Sequence, residues 1–138
     1  MGCTDLRGWT SIAQEHAMRP RNYGPLEDCN GWGRITGPCG DTMEFWIAVR
    51  DGRVERVGFV TDGCGSSRAC GSMTTTLAEG KSVEDAAALR QQDVLAALGD
   101  DFPEEHCALL AVNTLKAACE EHRRRRDGEA GGNGLSAP

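Results

Sequence analysis

Between Thr42 and Arg50, Met43, Phe45, Ile47 and Val49 fall on alternate positions, the period of a strand with one buried face. Asp51-Gly52 follows and is a strong signal for a tight hairpin turn. Val54, Val57, Phe59 and Val60 then mark a returning strand whose uneven spacing points to a bulge or an end-of-strand shift. Residues 33–37 supply a third strand, joined to the first pair by a turn at Gly37 to Asp41. The sequence therefore predicts a small three-stranded antiparallel sheet.

Elsewhere the apolar period is helical. Residues 9–18 predict a short amphipathic helix with Trp9, Ile12 and Ala13 on related faces. Pro20 limits it, and a proline- and glycine-bearing loop continues to residue 33. Ser66 to Leu77 predicts a longer helix stopped by Gly80, and Ser82-Val83-Glu84-Asp85 has the spacing of a capping box opening a short one. Gln91 to Leu98 is closed by Gly99. A last helix opens near Pro103-Glu104-Glu105, with Leu109, Val112, Leu115 and Cys119 as its buried stripe. The fold class expected is α+β, the sheet packed against about four to five helices. Residues 1–126 form one domain, and 127–138, rich in glycine and poor in large apolar residues, form a disordered tail.

Composition narrows the class. The longest apolar run, Cys107 to Val112, is far short of the roughly 20 residues that span a bilayer. Met1 to Trp9 mixes charge and glycine and does not build a secretory apolar region, so a cytoplasmic protein with no membrane partner is expected. A net charge of −6 argues against nucleic acid, which is bound by basic surfaces. Seven cysteines in a reducing compartment are thiols free to bind metal or carry sulfur.

Three of these stand in special settings: Pro38-Cys39-Gly40-Asp41, Gly63-Cys64-Gly65-Ser66 and His106-Cys107. Cys64 lies where a strand gives way to a helix, so free N–H groups should favour its thiolate. Cys107 sits in the first turn of the last helix. Asp41, two residues beyond Cys39, can add a hard ligand to a soft one. Three thiolates with either Asp41 or His106 supply four ligands, enough for tetrahedral zinc or a [2Fe–2S] cluster. Glycine on both sides of Cys64, with His106 and Cys107 adjacent to each other, points to an exposed reactive site shared by these residues. Cys70 and Cys119 read as core, Cys3 and Cys29 as loop thiols, His16 as structural, and Arg123 to Arg126 as a solvated helix end. A zinc site that only stabilises the fold is the weakest reading, because such sites close with locally paired cysteines.

In order, these motifs resemble the IscU/NifU N-terminal family of iron–sulfur cluster assembly scaffolds. His16-Ala-Met-Arg-Pro-Arg-Asn-Tyr-Gly24 is similar to the family's HxxxPRNxG opening, and Cys39-Gly-Asp41, Gly63-Cys-Gly-Ser66 and His106-Cys107 to its three ligand motifs. The resemblance runs from about Trp9 to His122. It implies an IscU/SufE-like fold and a scaffold, not an enzyme, on which a transient [2Fe–2S] cluster is built from iron and from sulfur delivered by a cysteine desulfurase, then passed to acceptor apo-proteins. It further implies Cys39, Cys64 and Cys107 as ligands, Asp41 as the residue keeping the cluster labile, and His106 as an additional or alternative ligand. The enzyme-class rival is a zinc-dependent SufU-like persulfide acceptor, with Cys39 or Cys107 taking the sulfur and zinc held by the remaining ligands. The SufU branch carries an insertion between its second and third cysteines, and the interval from Cys64 to Cys107 leaves no room for one. The Leu-Pro-Pro-Val-Lys segment that recruits an Hsp70-type chaperone to the IscU branch is absent; Asp100-Asp-Phe-Pro-Glu-Glu105 stands there, which puts chaperone-assisted release in doubt.

Overall fold

The structure is a computed structural model that describes residues 8–99, 102 and 105–130. Eight elements follow in order: α1 (Ser11–Met18), β1 (Gly31–Thr36), β2 (Thr42–Arg50), β3 (Arg53–Thr61), α2 (Gly65–Ala78), α3 (Val83–Ala87), α4 (Gln91–Leu98) and α5 (Glu105–Ala130). The strands form one antiparallel sheet in the order β1-β2-β3, so the α+β architecture is the one expected. Asp51 and Gly52 both adopt positive φ, at 55° and 76°, the conformation that a two-residue hairpin turn requires at both positions. The irregularity in the returning strand is a bulge: Ala48 pairs Arg56 while Val49 pairs Val54, leaving Glu55 as the extra residue.

Met43, Phe45, Ile47, Val57 and Phe59 line the buried face of the sheet, and α2 and α5 pack on it. Helix α5 lies close to β1 because Gly31 and Gly33 leave it room. A Cβ at Gly33 would stand 2.7 Å from the Ala118 backbone nitrogen and 2.8 Å from the Thr114 carbonyl oxygen. Ser82 caps α3, its hydroxyl accepting from the Asp85 N–H at 3.0 Å, and Thr10 caps α1 by accepting from Ala13 N–H. Among the described residues no helix is long and apolar enough to cross a membrane.

Two expectations change. Leu109 is 45% exposed, so it is not part of the stripe that α5 buries. That stripe keeps Val112, Leu115 and Cys119 and also takes in Leu110 and the small side chains Ala108, Ala111 and Ala118, because α5 is approached by β1, β2, α2, α3 and α4. Helix α5 also continues to Ala130, so residues 127–130 are helical where a tail was expected; 131–138, like Cys3 and the Pro103-Glu104 pair, lie outside the described residues.

The segment after α1 is tied down by side-chain hydroxyls of α2. His16 is buried and its Nδ1 lies 2.6 Å from Ser72 Oγ, which also accepts the Arg21 N–H at 2.7 Å. Asn22, at φ 60°, donates from Nδ2 to Thr75 Oγ1 at 3.0 Å. A Ser72 oxygen already accepting from Arg21 can give its own proton to Nδ1, which suits a neutral imidazole. Burial first, then the Arg21 charge, lowers the His16 pKa below its ordinary 6.5. The unfolded chain therefore binds that proton more readily than the folded one. Stability from this group is intact above about pH 6.5 and is lost as pH falls toward the lowered value. Thermal melts should show the midpoint dropping between about pH 7.5 and 5.5, with His16→Asn, which keeps a neutral donor and acceptor near Nδ1, flattening that part of the profile.

Candidate metal and sulfur site

The turn between β1 and β2 is closed by hydrogen bonds from Gly37 N–H to the Asp41 carbonyl (2.8 Å) and from Gly40 N–H to the Gly37 carbonyl (3.0 Å). Gly40 has φ +94°, the left-handed region that glycine enters without steric cost. Cys39 stands exposed on this turn, while Asp41 is half-buried. At the far end of the sheet's hairpin, Thr42 N–H donates to Asp62 Oδ1 at 2.7 Å and Gly63 N–H to Thr61 Oγ1 at 3.1 Å. These bonds place the Gly63-Cys64-Gly65 segment beside the β1–β2 turn.

Cys64 is the N-cap residue of α2, in extended conformation, and its carbonyl accepts the Arg68 N–H at 3.0 Å. Its sulfur makes no capping hydrogen bond to the helix N–H groups, contrary to expectation, and it is disulfide-bonded, so its use as a thiolate requires reduction first. Ser66 and Ser67, in the first turn of α2, are fully buried. Cys64 Sγ lies 3.6 Å and Cys107 Sγ 3.8 Å from Ser66 Oγ. Ser67 Oγ donates to Asp41 Oδ2 at 3.1 Å and lies 3.7 Å from Cys107 Sγ. Asp41, Cys64 and Cys107 thus converge from a turn, a helix start and a third segment onto two hydroxyls.

Cys107 is only 3% exposed, so the site is more enclosed than glycine-flanked cysteines suggested. Cys39 and His106 are both exposed. Among the described residues no group of three or more His, Cys, Asp or Glu side chains is spaced to hold a metal ion. The donor chemistry is nonetheless that of a borderline or soft metal, with two sulfurs and a carboxylate within reach of one pair of serines. The further donors available to complete a four-ligand set are exposed Cys39 on the β1–β2 turn and exposed His106 at the start of α5. Ser67 escaped the sequence reading because nothing in a linear motif shows that a first-turn serine faces a carboxylate 26 residues earlier.

The remaining cysteines fall where packing needs them. Cys70 and Cys119 are fully buried, and burial pushes the Cys119 thiol up to about 12, which leaves almost no thiolate at neutral pH. Cys29 is half-buried in the loop before β1. Of the arginine run, Arg125 pairs with Glu121 and Arg126 with Asp127 on an exposed face of α5, the solvated arrangement expected.

The NifU-like N-terminal domain model matches residues 9–129. A protein of Archaeoglobus fulgidus named iron-sulfur cluster assembly scaffold protein IscU 1 is 39% identical over 114 residues, covering 80% of this chain and 74% of that one. The Escherichia coli K12 protein named iron-sulfur cluster assembly scaffold protein IscU is 35% identical over 118 residues, 82% of this chain and 92% of that one. Among solved structures, the N-terminal part of a nitrogen-fixing NifU-like protein from Brucella abortus superposes with a TM-score of 0.66 at 16% identity, over 83% of this chain and 93% of that one. A protein of Fervidobacterium islandicum AW-1, described as a cluster assembly scaffold for the SUF system, gives 0.67 at 16% identity, over 80% and 95%; at that identity the two structures speak for the fold alone. With the family model spanning nearly all of the described residues and relatives above one-third identity across four-fifths of the sequence, the chain belongs to the NifU N-terminal domain family.

Proposed function

We propose that this protein is a cytoplasmic scaffold on which a transient [2Fe–2S] cluster is assembled from iron and desulfurase-derived sulfur, then handed to acceptor apo-proteins. The observation that carries this reading is the convergence of Asp41, Cys64 and Cys107 on Ser66 and Ser67, in a chain whose relatives are named as such scaffolds. In this role Cys39, Cys64 and Cys107 are the sulfur ligands. Asp41 is a hard ligand that iron exchanges readily, and His106, exposed at the start of α5, is the additional or alternative donor. A set of three thiolates and one exchangeable ligand suits custody better than permanent storage. The protein acts as a carrier and turns over no substrate.

Sulfur arrives as a persulfide on the desulfurase. The exposed Cys39 thiolate attacks its terminal sulfur, forming Cys39–S–SH and releasing the desulfurase thiolate, with Cys107 the second candidate acceptor; an external two-electron reductant then releases that sulfur as the sulfide of the cluster and regenerates the Cys39 thiolate. The exposure of Cys39, against the half-buried Asp41 and the buried Cys107, also favours a second reading, a zinc-dependent SufU-like relay in which Cys39 carries sulfur while Asp41, Cys64 and Cys107 hold zinc.

Anaerobic reconstitution of the reduced protein with iron, cysteine and a desulfurase separates the two. Visible cluster absorption, followed by transfer to an apo-ferredoxin, is the expected outcome. Retained zinc, no cluster bands and an accelerated desulfurase would overturn the scaffold reading in favour of the relay.

A further inference from the structure

The serine and threonine hydroxyls of the helices fall into two groups. Thr74 donates to the Cys70 carbonyl, Thr75 and Thr76 to Ser72, and Thr114 to Leu110. Each thereby returns its proton to its own helix three or four residues back, the ordinary local use of such a side chain. Ser67 does otherwise. The carbonyl three residues back, that of Cys64, accepts the Arg68 N–H, and Ser67 Oγ reaches off the helix to Asp41 Oδ2 at 3.1 Å with Cys107 Sγ 3.7 Å away.

Gly63 keeps that path open. A Cβ there would stand 2.3 Å from Ser67 Oγ and 2.7 Å from Asp41 Oδ2, closer than a Cβ tolerates, so glycine before Cys64 leaves room for this bond. Ser67 is fully buried and so is shielded from water that would compete for its proton.

From this geometry we infer that Ser67 is a positioning residue for the proposed scaffold's ligand set, and the inference rests on that proposed function. Its hydroxyl holds one carboxylate oxygen of Asp41 beside Cys107 and leaves Oδ1 as the oxygen that meets a metal. A ligand oriented by a hydrogen-bonding partner binds more tightly than one that must be ordered at the moment of binding. Ser67 itself touches no metal. It acts through Asp41, the carboxylate it holds beside Cys107 of α5.

The test is a double-mutant cycle on cobalt(II) binding to the reduced full chain, read by competition affinity and by the ligand-field and thiolate charge-transfer bands. Ser67→Ala should weaken binding by about tenfold and alter the ligand-field bands. Asp41→Ala should weaken it too, and the double variant should be no weaker than Asp41→Ala alone, because the serine has lost the group through which it acts. Ser67→Thr, which keeps the hydroxyl, should bind nearer to wild type than Ser67→Ala, and it carries the comparison if the alanine variant fails to fold. Multiplying losses in the double variant, or an alanine variant with wild-type affinity and spectrum, would overturn the inference while leaving the proposed function standing. A wild-type protein without thiolate-to-cobalt charge transfer would overturn both.

Discussion

Asp41→Ala is expected to leave the protein folded, lengthen the life of a reconstituted cluster, and slow its transfer to an apo-ferredoxin by roughly tenfold. Asp41 is half-buried and bonded by one carboxylate oxygen to Ser67, within the same network as Cys107. A carboxylate so placed competes with thiolate sulfur for iron without matching its softness, and it offers an entering acceptor thiol the weakest bond to displace. Alanine removes that weak point. Iron then keeps sulfur neighbours or takes a replacement donor such as exposed His106, and exchange is left to steps that break Fe–S bonds. Cluster absorbance under air, followed in time, reads the first effect, and the appearance of holo-ferredoxin reads the second. A transfer rate equal to wild type would remove Asp41 from the mechanism. A cluster that never forms would instead make it a ligand required for assembly.

What the sequence disclosed and what it concealed divide along physical lines. The alternation of Met43, Phe45 and Ile47 is legible because a strand with one buried face has a period of two and large apolar side chains to mark it. The Asp51-Gly52 turn and the Ser82 cap are legible because each is a local device whose chemistry lies within four residues. The exposure of Leu109 is not legible because the face α5 buries is defined by neighbours on several sides and takes in Leu110 and three alanines, which carry little weight in an apolar period. The motifs nominate the candidate site residues, since glycine, cysteine and aspartate in those settings have few other uses. Their mutual arrangement was not visible in them. Cys39 and Asp41 are two residues apart, yet one is exposed and the other turns in toward Ser67, a difference set by the turn closed between Gly37 and Asp41. The enclosure of Cys107 likewise depends on α2, whose contact with α5 no local pattern announces.

Gly71→Ala is expected to destabilise the protein by about 2 kcal/mol, the reverse of the usual sign for this substitution. In the interior of an ordinary helix, alanine in place of glycine stabilises by roughly 0.5–1 kcal/mol, through lower backbone entropy in the unfolded chain. Gly71 lies in the middle of α2, where a Cβ would stand 2.2 Å, 2.6 Å and 2.9 Å from three ring carbons of Phe59 on β3. That ring is fully buried and already packed against Phe45 and Tyr23, so it has no free space to enter. Overpacking of this kind costs roughly 1–3 kcal/mol and occasionally more, and it outweighs the gain in propensity. Phe59→Leu, which deletes the obstructing ring carbons, should destabilise on its own yet suppress much of the effect of Gly71→Ala, so that the double variant lies well above the sum of the two losses. Urea denaturation with unchanged slope measures all three. A Gly71→Ala variant at or above wild-type stability would show that α2 moves away from β3 without cost. Because α2 begins with Cys64, Ser66 and Ser67, the same displacement should weaken cobalt(II) binding in the variant that remains folded, tying the tightness of the Gly71–Phe59 contact to the geometry of the site.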